Sequence, residues 1–173
     1  MKVKGFTLIE LLLTLIVAGI MIATAAPDFS EFVDENKLTT EYNHILTAIS
    51  LTRSEAIKRN QRVTLCQSST QATCTRNSDK WHQGWAIFVD SDEDNQIDSD
   101  ELIITIQSNI PNINISFGAR TRIAYRPSGV AVGGSNGTII LCANNQLKGI
   151  VISRAGHARK ARQNDLKAKT CIT

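Results

Sequence analysis

The chain has 173 residues, 42% of them hydrophobic and 5% aromatic, with a formal net charge of +3. That length gives room for one domain plus a long helix, and no repeat or low-complexity linker divides it. The small net charge excludes a uniformly basic protein, but the charge is unevenly spread. No GxSxG nucleophile motif and no CxxC are present, and His44, His82 and His157 are scattered, so neither an enzyme nor a zinc site is expected.

The first element is an apolar run, Phe6 to Ala26, of 21 residues with a single charge, Glu10. As a helix it spans about 31 Å, close to the hydrocarbon thickness of a bilayer. Lys2 and Lys4 precede it, which places Met1 in the cytoplasm and the bulk of the chain outside. A carboxylate in such a span costs about 2.5–3.5 kcal/mol at a helix centre and less near its end. It normally has a partner, and none is expected from the rest of the run. Ala23-Thr24-Ala25 would suit an ordinary secretory cleavage site, but the run is long and wrongly charged for that. A plain anchor explains neither Gly5 nor Glu10.

The pattern Lys4-Gly5-Phe6-Thr7-Leu8-Ile9-Glu10, then an apolar run and Pro27, resembles the class III signal of type IV prepilins and type II secretion pseudopilins. The resemblance implies a leader, residues 1–5, removed by a prepilin peptidase after Gly5, with methylation of Phe6. It also implies that Glu10 pairs with the terminal amine of a neighbouring subunit. Residues 6–26 would then lie in the inner membrane before assembly and in the filament core afterwards.

From Pro27 to about residue 60 the pattern stays helical. Leu38, Tyr42, Ile45, Leu46, Ile49, Ala56 and Ile57 recur at three- and four-residue steps. Pro27 is expected to kink the helix, because it removes a backbone hydrogen bond. From Gln61 the period changes to two. About seven strands are predicted: Arg62–Cys66, Trp85–Val89, Leu102–Ile106, Asn112–Phe117, Arg122–Tyr125, Thr138–Cys142 and Gly149–Ile152. Residues 61–173 therefore read as a β-rich head. The predicted class is α+β: a long N-terminal helix, half membrane-spanning and half amphipathic, packed on an antiparallel β-sandwich-like head. The order of helix, cysteine-bearing strand, Gly84–Asp90, acidic loop and Gly-rich turn resembles the minor pilins of the GspH/FimT family, which implies a type IV pilin-like fold.

Four cysteines lie beyond the apolar run, where disulfides are expected, and they allow three pairings. Cys66 with Cys74 would close a short loop; Cys142 with Cys171 would then fasten the C-terminal tail to a core strand.

The stretch Asp90 to Glu101 matches the spacing of an EF-hand calcium loop. Asp90, Asp92 and Asp94 would point at the ion, Gln96 would offer its carbonyl, Asp98 would add an oxygen and Glu101 would close the site. Asn95 replaces the usual glycine, and asparagine tolerates the left-handed backbone. Seven carboxylates in twelve residues repel one another, which favours either calcium or a basic neighbour. The alternative is a solvated hairpin whose Asp and Asn side chains cap turns. No cofactor is required; calcium is the one candidate ion.

The tail from Lys148 carries Lys148, Arg154, Arg159, Lys160, Arg162, Lys167 and Lys169 against one acid, Asp165. Ser153-Arg154-Ala155-Gly156-His157-Ala158-Arg159 resembles the SxxGRxR-type motif of DNA-binding FimT pilins, with His157 standing where the motif has arginine. An unperturbed imidazole is mostly neutral at neutral pH. Gly156 would turn the backbone so that flanking arginines project together. With no aromatic residue after Ile150, the expectation is sequence-nonspecific grip on double-stranded DNA through phosphates. Arg120, Arg122 and Arg126 are secondary candidates. A solvated face, a pairing with the acidic loop, or contact with anionic lipid are the bland accounts. The resemblance thus implies a minor pilin that binds extracellular DNA in natural transformation, or alternatively a type II secretion pseudopilin contacting other subunits or substrate.

Overall fold

The computed structural model describes residues 5–70, 72–76, 80–144, 146–166 and 171, and of residues 23–31 the backbone alone. The chain divides into two compact units, Met1–Asn36 and Lys37–Thr173. Helix α1, Leu8–Arg59, contributes to both.

In the first unit Thr7 caps α1. Its Oγ1 accepts the Glu10 N–H at 3.4 Å, and the Glu10 carboxylate accepts the Thr7 N–H at 3.4 Å and faces its hydroxyl at 3.5 Å. This is a capping box, in which two orphan N–H groups of the first turn are satisfied reciprocally. It corrects the expectation that no residue of the run could partner Glu10. The apolar side chains from Phe6 to Ile22 are all exposed. Among the described residues no helix is long and apolar enough to cross a membrane. The expected kink at Pro27 falls where side chains lie outside the described residues.

In the second unit the remainder of α1 buries one stripe, Leu38, Tyr42, Ile45, Ile49, Thr52 and Ala56, at alternating three- and four-residue steps. Thr52 is tolerated there because its hydroxyl donates to the Ala48 carbonyl at 2.7 Å. Asn60, at φ +53, ends the helix in the left-handed conformation that asparagine tolerates. Ile57, predicted on the buried face, is half exposed.

Among the described residues, eight strands form two four-stranded antiparallel sheets. The first has the order β3 (Ile103–Gln107), β2 (Trp85–Val89), β1 (Val63–Gln67), β5 (Arg122–Tyr125). The second has the order β4 (Asn114–Ser116), β6 (Gly137–Ala143), β7 (Gln146–Ile152), β8 (Ala158–Lys160). One core joins them to α1: Leu65, Ile87, Ile123 and Tyr125 from the first sheet, Ile115, Ile139, Leu141 and Ile150 from the second. The other face of β1 and β2 is covered too, by a small cluster of Cys66, Cys74 and Phe88 with Ile97 against it. Both strands are therefore buried along their whole length.

Both expected disulfides are formed, Cys66–Cys74 and Cys142–Cys171. The strand that the sequence pattern does not predict is β8, inside the basic tail. It pairs with β7 in the register Ile150 with Lys160, Val151 with Arg159 and Ile152 with Ala158. A short helix α2, Gln163–Leu166, follows it.

Candidate nucleic-acid interface

The β7–β8 turn is built by Ser153 and Gly156. Ser153 N–H donates to the His157 carbonyl at 2.9 Å, Gly156 N–H to the Ser153 carbonyl at 3.0 Å, and His157 N–H to Ser153 Oγ at 3.1 Å. Gly156 has φ +85, and a Cβ there would lie 2.3 Å from the Gly129 carbonyl oxygen. Only glycine fits on both counts. That carbonyl also accepts Arg53 Nε–H from α1 at 2.8 Å. The turn at 153–157, the turn at 126–130 and α1 thus meet at one point.

The arginines flanking Gly156, Arg154 and Arg159, are both exposed. Strand alternation sends Arg159 and Lys160 to opposite faces of β8. Arg159 is gripped by both oxygens of Asp165, at 2.8 and 3.3 Å. Asp165 also accepts the Arg162 N–H at 2.7 Å, at the start of α2. These bonds, the Arg159 one first, hold the Asp165 carboxyl down at about 2 and raise the Arg159 pKa. Lys148 is half-buried and donates to Thr39 Oγ1 of α1, so it is not part of the exposed set. Arg154, Lys160, Arg162 and His157 are exposed. Lys167 lies outside the described residues.

A wider pattern was missed in the sequence although it is written there. From Leu102 to Asn164 there is no Asp or Glu, while eight cations occur: Arg120, Arg122, Arg126, Lys148, Arg154, Arg159, Lys160 and Arg162. Arg120, Arg122 and Arg126 are exposed along and beside the edge strand β5. The turn after β5, which begins at Arg126, touches the Gly156 turn; Arg120 and Arg122 lie at the other end of β5.

The acidic loop has an internal cation, Arg62. Its Nε lies 3.1 Å from Asp90 Oδ2, and its Nη1 donates to the Glu93 carbonyl at 3.2 Å and to the Glu93 carboxylate at 3.3 Å. Its Nη2 donates to Asn95 Oδ1. Asp90 is fully buried and accepts the Thr64 hydroxyl at 2.6 Å and the Asn95 N–H at 3.2 Å. Asn95 has φ +68, the left-handed turn its side chain permits. Asp90, Asp92 and Asp94 offer carboxylate oxygens within 4.8 Å of one another. Glu101 is spent on the Ser91 N–H at 2.7 Å and the Asp98 N–H at 3.3 Å. The Gln96 N–H donates to Asp94 at 2.6 Å. Partial burial, then neighbouring aspartates, raise the Asp98 pKa; burial raises that of Glu101. The oxygens that calcium would need from Asp90 and Glu101 already hold internal donors, and a guanidinium stands among them.

At the N-terminus, Gly5 is exposed and precedes the helix. A family model described as the prokaryotic N-terminal methylation motif matches residues 1–26, and one described as type II transport protein GspH matches residues 41–156. The chain belongs to the GspH family. It is a type IV minor pilin or pseudopilin of the GspH/FimT kind, a membrane-anchored pilus component of the class that assembles with other pilins in a filament. The pilin-like protein PilA1 of Thermus thermophilus is 26% identical over 165 residues, covering 90% of this chain and 97% of the relative. Two crystal forms of the type IV minor pilin FimU of Pseudomonas aeruginosa share the fold. One gives a TM-score of 0.60 at 16% identity, over 77% of this chain and 94% of FimU. The other gives 0.56 at 15%, over 73% and 94%. The GspH match ends at Gly156, before Arg159, Lys160 and Arg162.

Proposed function

We propose that this GspH-family chain is a minor pilin whose head binds double-stranded DNA, without sequence preference, during uptake in natural transformation. The observation that carries the reading is the acid-free stretch 102–164. Among the described residues no carboxylate oxygen lies within 4.0 Å of the charged side-chain nitrogens of the exposed Arg120, Arg122, Arg126, Arg154, Lys160 or Arg162. Guanidinium groups suit phosphate geometry, and the absence of aromatics after Ile150 removes a platform for unstacked bases. In this reading a prepilin peptidase cuts after Gly5, Phe6 is methylated, and residues 6–26 hold the chain in the inner membrane with the head outside. Glu10 leaves its bond with Thr7 for a neighbour's terminal amine as the filament grows. No step is catalytic and no cofactor is needed.

The test is a titration of the full chain, in neutral detergent, with a labelled duplex at several salt concentrations. Three to five neutralised phosphates give a log–log slope of roughly −3 to −4.5. Arg154→Gln, Lys160→Gln and Arg162→Gln together should weaken binding and flatten the slope, with the melting midpoint unchanged. Equal binding by wild type and the triple variant in dilute buffer overturns the reading.

The family description favours a second reading, a type II secretion pseudopilin. A chain that ignores duplex DNA in dilute buffer yet captures other pilin heads would fit it.

A further inference from the structure

We infer that the cleft between the start of β5 and the turn at 132–135 is a phosphate-binding site that continues the DNA surface of the tail. This rests on the DNA reading above and adds a second anchoring point to it. The cleft has a volume of about 180 Å³ and is lined by Arg120, Thr121, Arg122, Gly133, Gly134 and Ser135 among others. At about 30 Å³ per water it holds about six waters, enough for a hydrated phosphate group.

Its walls are held from behind. The Arg120 carbonyl accepts Trp81 Nε1–H at 2.9 Å, and the Thr121 carbonyl accepts the Gln67 N–H at 3.0 Å. The Arg120 guanidinium lies 5.2 Å from the centre of the Phe117 ring, and a Cβ on Gly137 would come within 3.3 Å of it. A cation held between a ring and a bare backbone has less conformational freedom to lose on binding. Opposite, Gly133 and Gly134 leave open space where side chains would otherwise stand, and Gly134 has φ +86. Phosphate oxygens can therefore approach the backbone closely.

Ser135 fastens the turn to β5. It is buried, and its Oγ accepts the Ala124 N–H at 2.9 Å. Among the described residues no acceptor takes its hydroxyl proton. No carboxylate lines the cleft. From Arg122 to Arg126 the edge strand runs about 13 Å, roughly four steps of a DNA strand's axial rise. The turn that follows touches the Gly156 turn carrying Arg154. The cleft thus lies at the start of β5 and the tail's turn beyond its end.

The probe is a 20-base-pair duplex of about 68 Å, titrated against the full chain in neutral detergent. Arg122→Gln and Arg120→Gln are compared with the triple tail variant. Each cleft variant should weaken binding and reduce the salt slope by about 0.9, the share of one phosphate no longer neutralised. Arg120 packs on Phe117, so if its variant melts early, Arg122→Gln decides, since its side chain is exposed. Unchanged affinity and slope in Arg122→Gln, while the tail variant still weakens, overturns the cleft and leaves the DNA reading standing. A wild-type chain that ignores the duplex sinks both.

Discussion

Asp165 grips Arg159 through both carboxylate oxygens and takes the Arg162 N–H as well. Its carboxyl is depressed to about 2 from the ordinary 3.8. A depressed acid contributes stability above its unfolded value and loses it as pH falls toward the folded one, here from about pH 4 to about pH 2. Both groups are at the surface, so that contribution is small. The larger consequence concerns binding. Asp165→Asn removes a negative charge beside the tail and releases Arg159. Duplex affinity should rise severalfold, and the salt slope should steepen by about 0.9 for one more phosphate neutralised. An unchanged titration would show that Arg159 takes no part even when released. The exposed cations Arg154, Lys160 and Arg162 were legible in the sequence; that Lys148 turns in to Thr39 was not. The Arg159 grip was not, because it depends on a turn of helix closing six residues later.

The loop between β2 and β3 shows the same limit for an element. Its turn chemistry was readable: Asn95 takes the left-handed backbone that a glycine usually supplies. The need for a positive neighbour was readable too. That the neighbour is Arg62 required knowing that β1 and β2 pair Val63 with Val89, which sets Arg62 beside Asp90. Arg62→Met should destabilise the head by about 3–5 kcal/mol, because Asp90 is left buried without its partner. Arg62→Met with Asp90→Val should recover most of that loss in the same thermal melt. Millimolar calcium should leave the wild-type midpoint unchanged; a clear rise would mean that the loop reorganises around an ion. Strand β8 was hidden in the sequence for a different reason. Three residues with two cations carry no alternation of apolar and polar. Its signal was Ser153 and Gly156, a tight turn straight after a strand.

For the whole molecule, the period change near Gln61 separated helix from sheets correctly, since the apolar pattern follows the one core they share. The start of the chain was the most legible part. Phe6 to Ile22 leave their apolar side chains exposed in the isolated chain, a surface suited to burial by lipid or by neighbouring helices. Gly5→Val should block trimming, so that intact mass retains the residues before Phe6; normal trimming would contradict the prepilin assignment.

The Cys142–Cys171 bond makes a covalent ring of the segment that holds β7, β8 and α2. Arginines and lysines are the residues trypsin-like proteases attack, and this segment is rich in them. One cut within the ring would leave both ends attached to the head. The cationic piece could be nicked without being shed.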